Sequence, residues 1–111
     1  MPQHALNGSE WQLATVNDTP AVVGAEATLL FTEGRVSGTT GCNRYTGSYT
    51  LGEDGTIDFG PLASTMMACG EAQMQQEMSF GKALEVATGY VMSAGGLTLR
   101  DANGVEVATF V

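Results

Sequence analysis

Along most of the chain apolar and polar positions alternate with period two, and glycine breaks the pattern at short intervals. This is how short antiparallel strands look in sequence. Trp11, Leu13 and Thr15 alternate with Gln12, Ala14 and Val16, predicting a first strand over 10–16 that ends in the turn Asn17-Asp18-Thr19-Pro20. Residues 27–33 and 35–38 read as a hairpin turning at Gly34. Strands are further predicted over 45–51, over 56–59 after the acidic turn Gly52-Glu53-Asp54-Gly55, and over 62–66 after Gly60-Pro61. The period then changes. Between 71 and 87 there is no proline, β-branched residues are nearly absent, and Gln, Glu, Met, Ala and Leu dominate, which predicts one helix.

With successive residues about 100° apart, Met74, Met78, Phe80, Gly81, Leu84 and Ala87 fall on one half of that helix. Glu71, Gln75, Ser79 and Lys82 fall opposite, so the first half is expected to face the core. Gln73, Glu77 and Glu85 lie within the apolar arc as well, with Glu77 nearest its centre, and Val86 lies outside it. Gly89 is expected to end the helix. Three strands follow, over 90–94, 97–100 and 105–110, the last two joined by Asp101-Ala102-Asn103-Gly104 with its hairpin-type Asn-Gly pair.

This order predicts an α+β, mostly β fold. One helix cannot cover both faces of so many strands, so the economical arrangement is a curved antiparallel sheet or open barrel of eight or nine strands wrapped around the helix. A length of 111 residues suits one domain, expected over 10–111 after a flexible leader, 1–9. Hydrophobic residues at 43% and charged ones at 14% are enough to fill a core.

Twelve acidic groups against Arg35, Arg44, Lys82 and Arg100 give a net charge of -8, which argues against nucleic acid as a partner and against attraction to anionic lipid. No run of five like charges occurs, so the acidity reads as a solubility device. No stretch approaches a membrane span, and MPQHALNGSEW has neither the basic nor the apolar region of an export signal. The protein is therefore either cytosolic or exported with its signal removed. Cys42 and Cys69 are too far apart for a redox CxxC and have no histidine partner except His4. Spacing leaves two readings open: a disulfide worth about 3 to 4 kcal/mol that implies an oxidising compartment, or two buried thiols acting as small hydrophobes.

Trp11 and Leu13 come first among the informative residues, followed by Val36-Ser37-Gly38 and Gly41-Cys42-Asn43-Arg44-Tyr45-Thr46-Gly47-Ser48-Tyr49. Then come Leu62-Ala63-Ser64-Thr65-Met66-Met67-Ala68-Cys69, the series Glu77, Phe80, Ala83 and Leu84, and finally Leu97-Thr98-Leu99. In this order they resemble the META domain, or HslJ-like, family over nearly the whole chain. Where the family more often has Thr-Arg-Met, this chain has Thr65-Met66-Met67, so a role resting on that arginine is not carried over. The resemblance implies a compact β-structure curved around one helix, a Cys42–Cys69 disulfide, and export to the periplasm, to the outer membrane as a lipoprotein, or out of the cell. It links the chain to stress or heat-shock proteins and implies no catalytic activity. The expected membrane attachment is through a lipid anchor upstream of Met1.

Catalysis by Cys42 would need a base, and its neighbour Arg44 cannot accept a proton. The sequence shows no histidine pair, carboxylate dyad, nucleophile elbow or phosphate loop, and no catalytic residue is expected. Asn43 reads as a turn residue and Arg44 as an exposed or ion-paired group, and Asn43, Arg44, Tyr45 and Glu77 form the candidate functional patch. Glu77 should either reach solvent or meet Arg44, Arg35 or a tyrosine hydroxyl. Met66, Met67, Cys69, Met74 and Met78 would suit Cu(I), but Met74 and Met78 on the expected core face favour packing instead, so no metal or cofactor is expected. Glu53, Asp54 and Asp58 lack the spacing of an EF-hand loop, and the sequons at Asn7 and Asn17 read as turns.

The leading expectation is a monomeric, non-enzymatic envelope or secreted domain that binds a protein, peptide or lipid-like ligand by its sheet surface or helix edge. The rival readings are a structural module of an envelope lipoprotein, an uncharacterised enzyme, and a Cu(I)-binding protein.

Overall fold

The computed structural model describes residues 6–111. Its elements run β1 (Glu10–Val16), β2 (Thr19–Pro20), β3 (Thr28–Thr32), β4 (Arg35–Thr39), β5 (Arg44–Leu51), β6 (Ile57–Phe59) and β7 (Ala63–Ser64). The helix α1 (Glu71–Val86) follows, and then β8 (Gly89–Ser93), β9 (Gly96–Arg100) and β10 (Glu106–Phe110). The mostly β, α+β architecture is as expected, a ten-stranded antiparallel sheet packed against a single helix.

The main path of the sheet is β6-β5-β4-β3-β1-β10-β9-β8, with β2 paired to β1 and β7 to β5. β1 holds the two halves together by changing partner along its length. Glu10, Trp11 and Gln12 pair with Leu30, Leu29 and Thr28 of β3, whereas Leu13, Thr15 and Val16 pair with Phe110, Thr109 and Ala108 of β10. The register shifts between Leu13 and Thr15, an irregularity of the kind that bends a sheet. The edge strands β6 and β8 then approach each other and meet at an isolated Thr56–Gly89 bridge. Ile57 N–H donates to the Thr88 carbonyl at 3.0 Å and Tyr90 N–H to the Gly55 carbonyl at 2.9 Å, so the sheet curls nearly into a barrel without a closing ladder.

The concave face carries the core. β5 alternates strictly, with Tyr45, Gly47, Tyr49 and Leu51 buried and Arg44, Thr46, Ser48 and Thr50 exposed. Leu29 and Phe31, Val36, Leu97 and Leu99, and Phe110 join them in the core, with Leu13, Val16, Ile57, Phe59, Val107 and Ala108. Phe80 of α1 meets Tyr45 and Phe110 edge-on, with centroid distances of 5.6 and 6.1 Å.

Four expectations are corrected. Residues 6–9 were expected in a flexible leader, but Leu6 is completely buried and Gly8 N–H donates to the Phe31 carbonyl at 2.7 Å. The rest of that leader, with His4, lies outside the described residues. The turn after β1 is only Asn17-Asp18, at φ 50° and 66°, and the chain pairs again at once as β2. Asn and Asp tolerate that left-handed conformation better than most residues. The strand expected over 62–66 shrinks to Ala63–Ser64: Thr65 N–H still donates to the Arg44 carbonyl of β5 at 3.0 Å, but Met67 N–H turns to the Asn43 side chain. Gly89 does not end the helix: Ala87 already has extended backbone, and Gly89 begins β8.

The helix is also rotated by roughly 80° from the expected arc. Its buried residues are Gln76, Phe80, Ala83 and Leu84, whereas Met74 and Met78 face outward. The sequence rule counted methionine as core and glutamine as surface. Small Ala83 and Ala87 let the helix approach the sheet, and Gln76 enters because its amide finds three backbone partners.

Candidate functional site

Gly41-Cys42-Asn43 forms the turn between β4 and β5, and it sits against one end of the helix. Gly41 lies at φ 94°, and a Cβ there would come within 2.6 Å of Gln76 Nε2 and 2.7 Å of the Ala25 carbonyl. Glycine is required here both by conformation and by the close approach of the helix. Cys42 is bonded to Cys69, their Cα atoms 5.9 Å apart, which ties this turn to the segment leading into α1.

Asn43 is buried and uses both ends of its amide. Its Oδ1 accepts from Met67 N–H at 2.7 Å and from the Thr65 hydroxyl at 2.9 Å. Its Nδ2 donates to Glu77 Oε1 at 2.8 Å and to the Met67 carbonyl at 3.3 Å. The Thr40 hydroxyl donates to the same Glu77 oxygen at 2.8 Å and accepts from the backbone N–H of Cys42 and Asn43. Glu77 is half-buried, so it keeps part of the solvent contact that was one expected alternative, and its charge is met by an amide and a hydroxyl and not by the arginine or tyrosine of the other. Arg44 is exposed and turned away, and Arg35 bonds to Thr46 at 3.2 Å.

The candidate patch therefore divides. Asn43 and Glu77 come together, while Arg44 points outward and Tyr45 points into the core, its hydroxyl donating to the Thr28 carbonyl at 2.6 Å. Burial pushes the Tyr45 phenol well above its ordinary range. Cys69 has no thiolate to offer a soft metal, because its sulfur is in the disulfide. Glu53, Asp54 and Asp58 are exposed around the β5–β6 hairpin. Among the described residues, no group of three or more His, Cys, Asp or Glu side chains is placed to hold a metal ion.

Sequence reading missed Thr40, Thr65 and Gln76. Thr40 two residues before Cys42 had the signature of a hydroxyl-capped turn, and the spacing of Thr65 from Met67 was part of the quoted motif. Gln76 gave no local signal, since its partners Val22, Ala25 and Thr40 lie far away in sequence.

A second feature lies farther along the helix, on the same side as Glu77 and about one turn beyond it. A groove of about 450 Å³ runs between α1 and the β6–β7 connection, lined by Phe59, Gly60, Pro61, Leu62, Gly81, Leu84 and Glu85. Gly81 is in the middle of α1, and a Cβ built on it would meet nothing within 4 Å.

The META domain model matches residues 4–111. A protein from Burkholderia xenovorans solved by NMR is 34% identical, with a TM-score of 0.76, over 97% of this chain and 83% of that one. A second NMR structure, at 24% identity, has a TM-score of 0.77 and covers 99% of this chain and 93% of its own. A DUF4847 family protein from Bacteroides vulgatus ATCC 8482, at 14% identity, has a TM-score of 0.77, covers 98% of this chain and 95% of its own, and shares the fold. A comparison with curated proteins finds no match. The clasp built on Gly41-Cys42-Asn43 and Thr65 to Cys69 joins the two most specific motifs of the sequence, and with the match over 4–111 it shows that the chain belongs to the META domain family.

Proposed function

We propose that the protein is a non-enzymatic, extracytoplasmic binding module whose helix-edge groove takes an extended apolar peptide segment with basic flanks. The observation that carries this reading is Gly81. Glycine within a helix costs about 0.5 to 1 kcal/mol relative to alanine, and nothing inside the molecule requires it here because the space beside it is empty. Its effect is to leave the floor of an apolar groove open between Phe59, Pro61, Leu62 and Leu84. The volume falls in the range of small-ligand clefts. Met74 and Met78 stand exposed along the same side of the helix, and methionine adapts to varied apolar partners. The net charge of -8 favours a basic partner over an anionic one.

The side chains of the clasp support a binding reading over a catalytic one, since Asn43 has spent both ends of its amide on internal bonds. The disulfide is compatible with an oxidising compartment.

The test is fluorescence anisotropy with a labelled peptide of four or five apolar residues flanked by lysines. Binding should weaken with salt. Gly81→Leu should lower affinity by about tenfold or more while leaving Tm unchanged or raised, because the substitution fills the groove and improves helix propensity. Equal binding by wild type and Gly81→Leu would sink the groove as the site. Capture of a neutral lysolipid, but not the peptide, would replace the peptide reading with a lipid one.

A further inference from the structure

We propose that Met66, Met67, Met74 and Met78 form an oxidant-accepting modification site. The buried hydrophobic residues include no methionine, although methionine is ordinarily among the more buried types. All five methionines among the described residues are exposed: Met66 91%, Met78 75%, Met67 60%, Met92 46% and Met74 45%. Four of them lie within the short stretch that includes the disulfide and the first half of the helix. The chain has no free thiol to react first. Among the described residues the readily oxidised sulfur is therefore confined to the surface, in thioethers the core does not use.

The co-reactant is a two-electron oxidant of the peroxide class. A thioether lone pair attacks one peroxide oxygen, an S–O bond forms as the O–O bond breaks, and the proton on the transferred oxygen passes through solvent to the departing hydroxide, leaving sulfoxide and water. Sulfur loses two electrons and peroxide gains them. A thiol-dependent sulfoxide reductase returns the oxygen as water while two thiols become a disulfide. The fold should survive each cycle. The clasp uses only the backbone N–H and carbonyl of Met67, so a sulfoxide on that side chain leaves its bonds to Asn43 in place.

The experiment doses the full chain with hydrogen peroxide, locates sulfoxides by peptide-mapping mass spectrometry, and follows thermal unfolding. The four residues should oxidise within about threefold of the rate of free methionine amide, Met66 fastest, with Tm moving by less than about 2 °C. Sulfoxide reductase should then restore the original mass. The proposal is overturned if the four resist by more than about tenfold, or if their oxidation lowers Tm by more than about 5 °C. It is equally overturned if a variant with Met66, Met67, Met74 and Met78 all changed to Leu consumes as much peroxide as the wild type.

Discussion

Asn43 and Glu77 face each other where the β4–β5 turn meets the helix, the Asn43 amide donating to the Glu77 carboxylate at 2.8 Å. The contact is directional, because Asn43 Nδ2 is the donor and its Oδ1 is occupied by Thr65 and Met67. Asn43→Asp keeps the acceptor side and replaces the donor with a second carboxylate. The expected loss is about 2 to 4 kcal/mol, the cost of a broken buried bond plus like-charge repulsion. Glu77→Gln added to Asn43→Asp supplies an amide donor from the opposite side and should recover at least about 1 kcal/mol. Urea unfolding of the two single variants and the double variant measures the coupling. A strictly additive cycle would show that the pair does not interact.

Much of this site could be read in the sequence, and the unread part has a common cause. The strict alternation over Tyr45 to Leu51 gave β5 almost residue for residue, since one face of that strand is buried throughout. The place of Asn43 in a turn was visible in its local motif, whereas spacing left the pairing of Cys42 with Cys69 open and only the family resemblance implied it. Glu77 stood out as a carboxylate within an apolar arc, but its partners Asn43 and Thr40 lie 34 and 37 residues away, so sequence named arginines instead. The helix orientation failed for the same reason. Hydrophobicity cannot show that Gln76 will find three backbone groups at the helix–sheet junction, or that methionines will be left outside.

Opening the Cys42–Cys69 bond should cost about 3 to 4 kcal/mol, as the chain-entropy model gives for residues separated by 27 positions. The Asn43 clasp holds the same segment independently through Met67 and Thr65, so the reduced protein should remain folded. Denaturant unfolding with and without reductant gives the difference. Intact mass after alkylation should show no free thiol before reduction and two after it. Two alkylated thiols in the unreduced protein would remove the argument for an oxidising compartment.

Gln76 accepts from Val22 N–H at 2.6 Å and donates to the carbonyls of Ala25 at 2.8 Å and Thr40 at 3.0 Å. Gln76→Leu nearly preserves volume and adds an apolar side chain, so a simple hydrophobic account predicts stabilisation. The expected result is the opposite, a loss of about 2 to 3 kcal/mol, because three backbone groups lose their partner where water is largely excluded. Hydrogen exchange should locate the damage at Val22 N–H. A stabilised Gln76→Leu variant would mean that water takes over all three bonds.

Tyr45 makes stability depend on alkaline pH. Its phenol is buried against Phe80 and donates to Thr28, and burial keeps it protonated in the folded state well above its ordinary range. In the unfolded chain it ionises near pH 10. Below that pH both states hold the proton and the full stability is present. Above it only the unfolded state releases the proton, so stability should fall by about 1.4 kcal/mol per pH unit until the folded pKa is reached. Burial also raises the Tyr49 phenol, which adds to the slope but is common to wild type and variant. Tyr45→Phe gives up one hydrogen bond, about 1 kcal/mol at neutral pH, and loses one phenol's share of the alkaline slope. The two stability curves should therefore cross near pH 11. Urea titrations at pH 8, 10 and 11 would test this, and curves that stay parallel would mean that Tyr45 ionises as readily in the folded protein as in the unfolded chain.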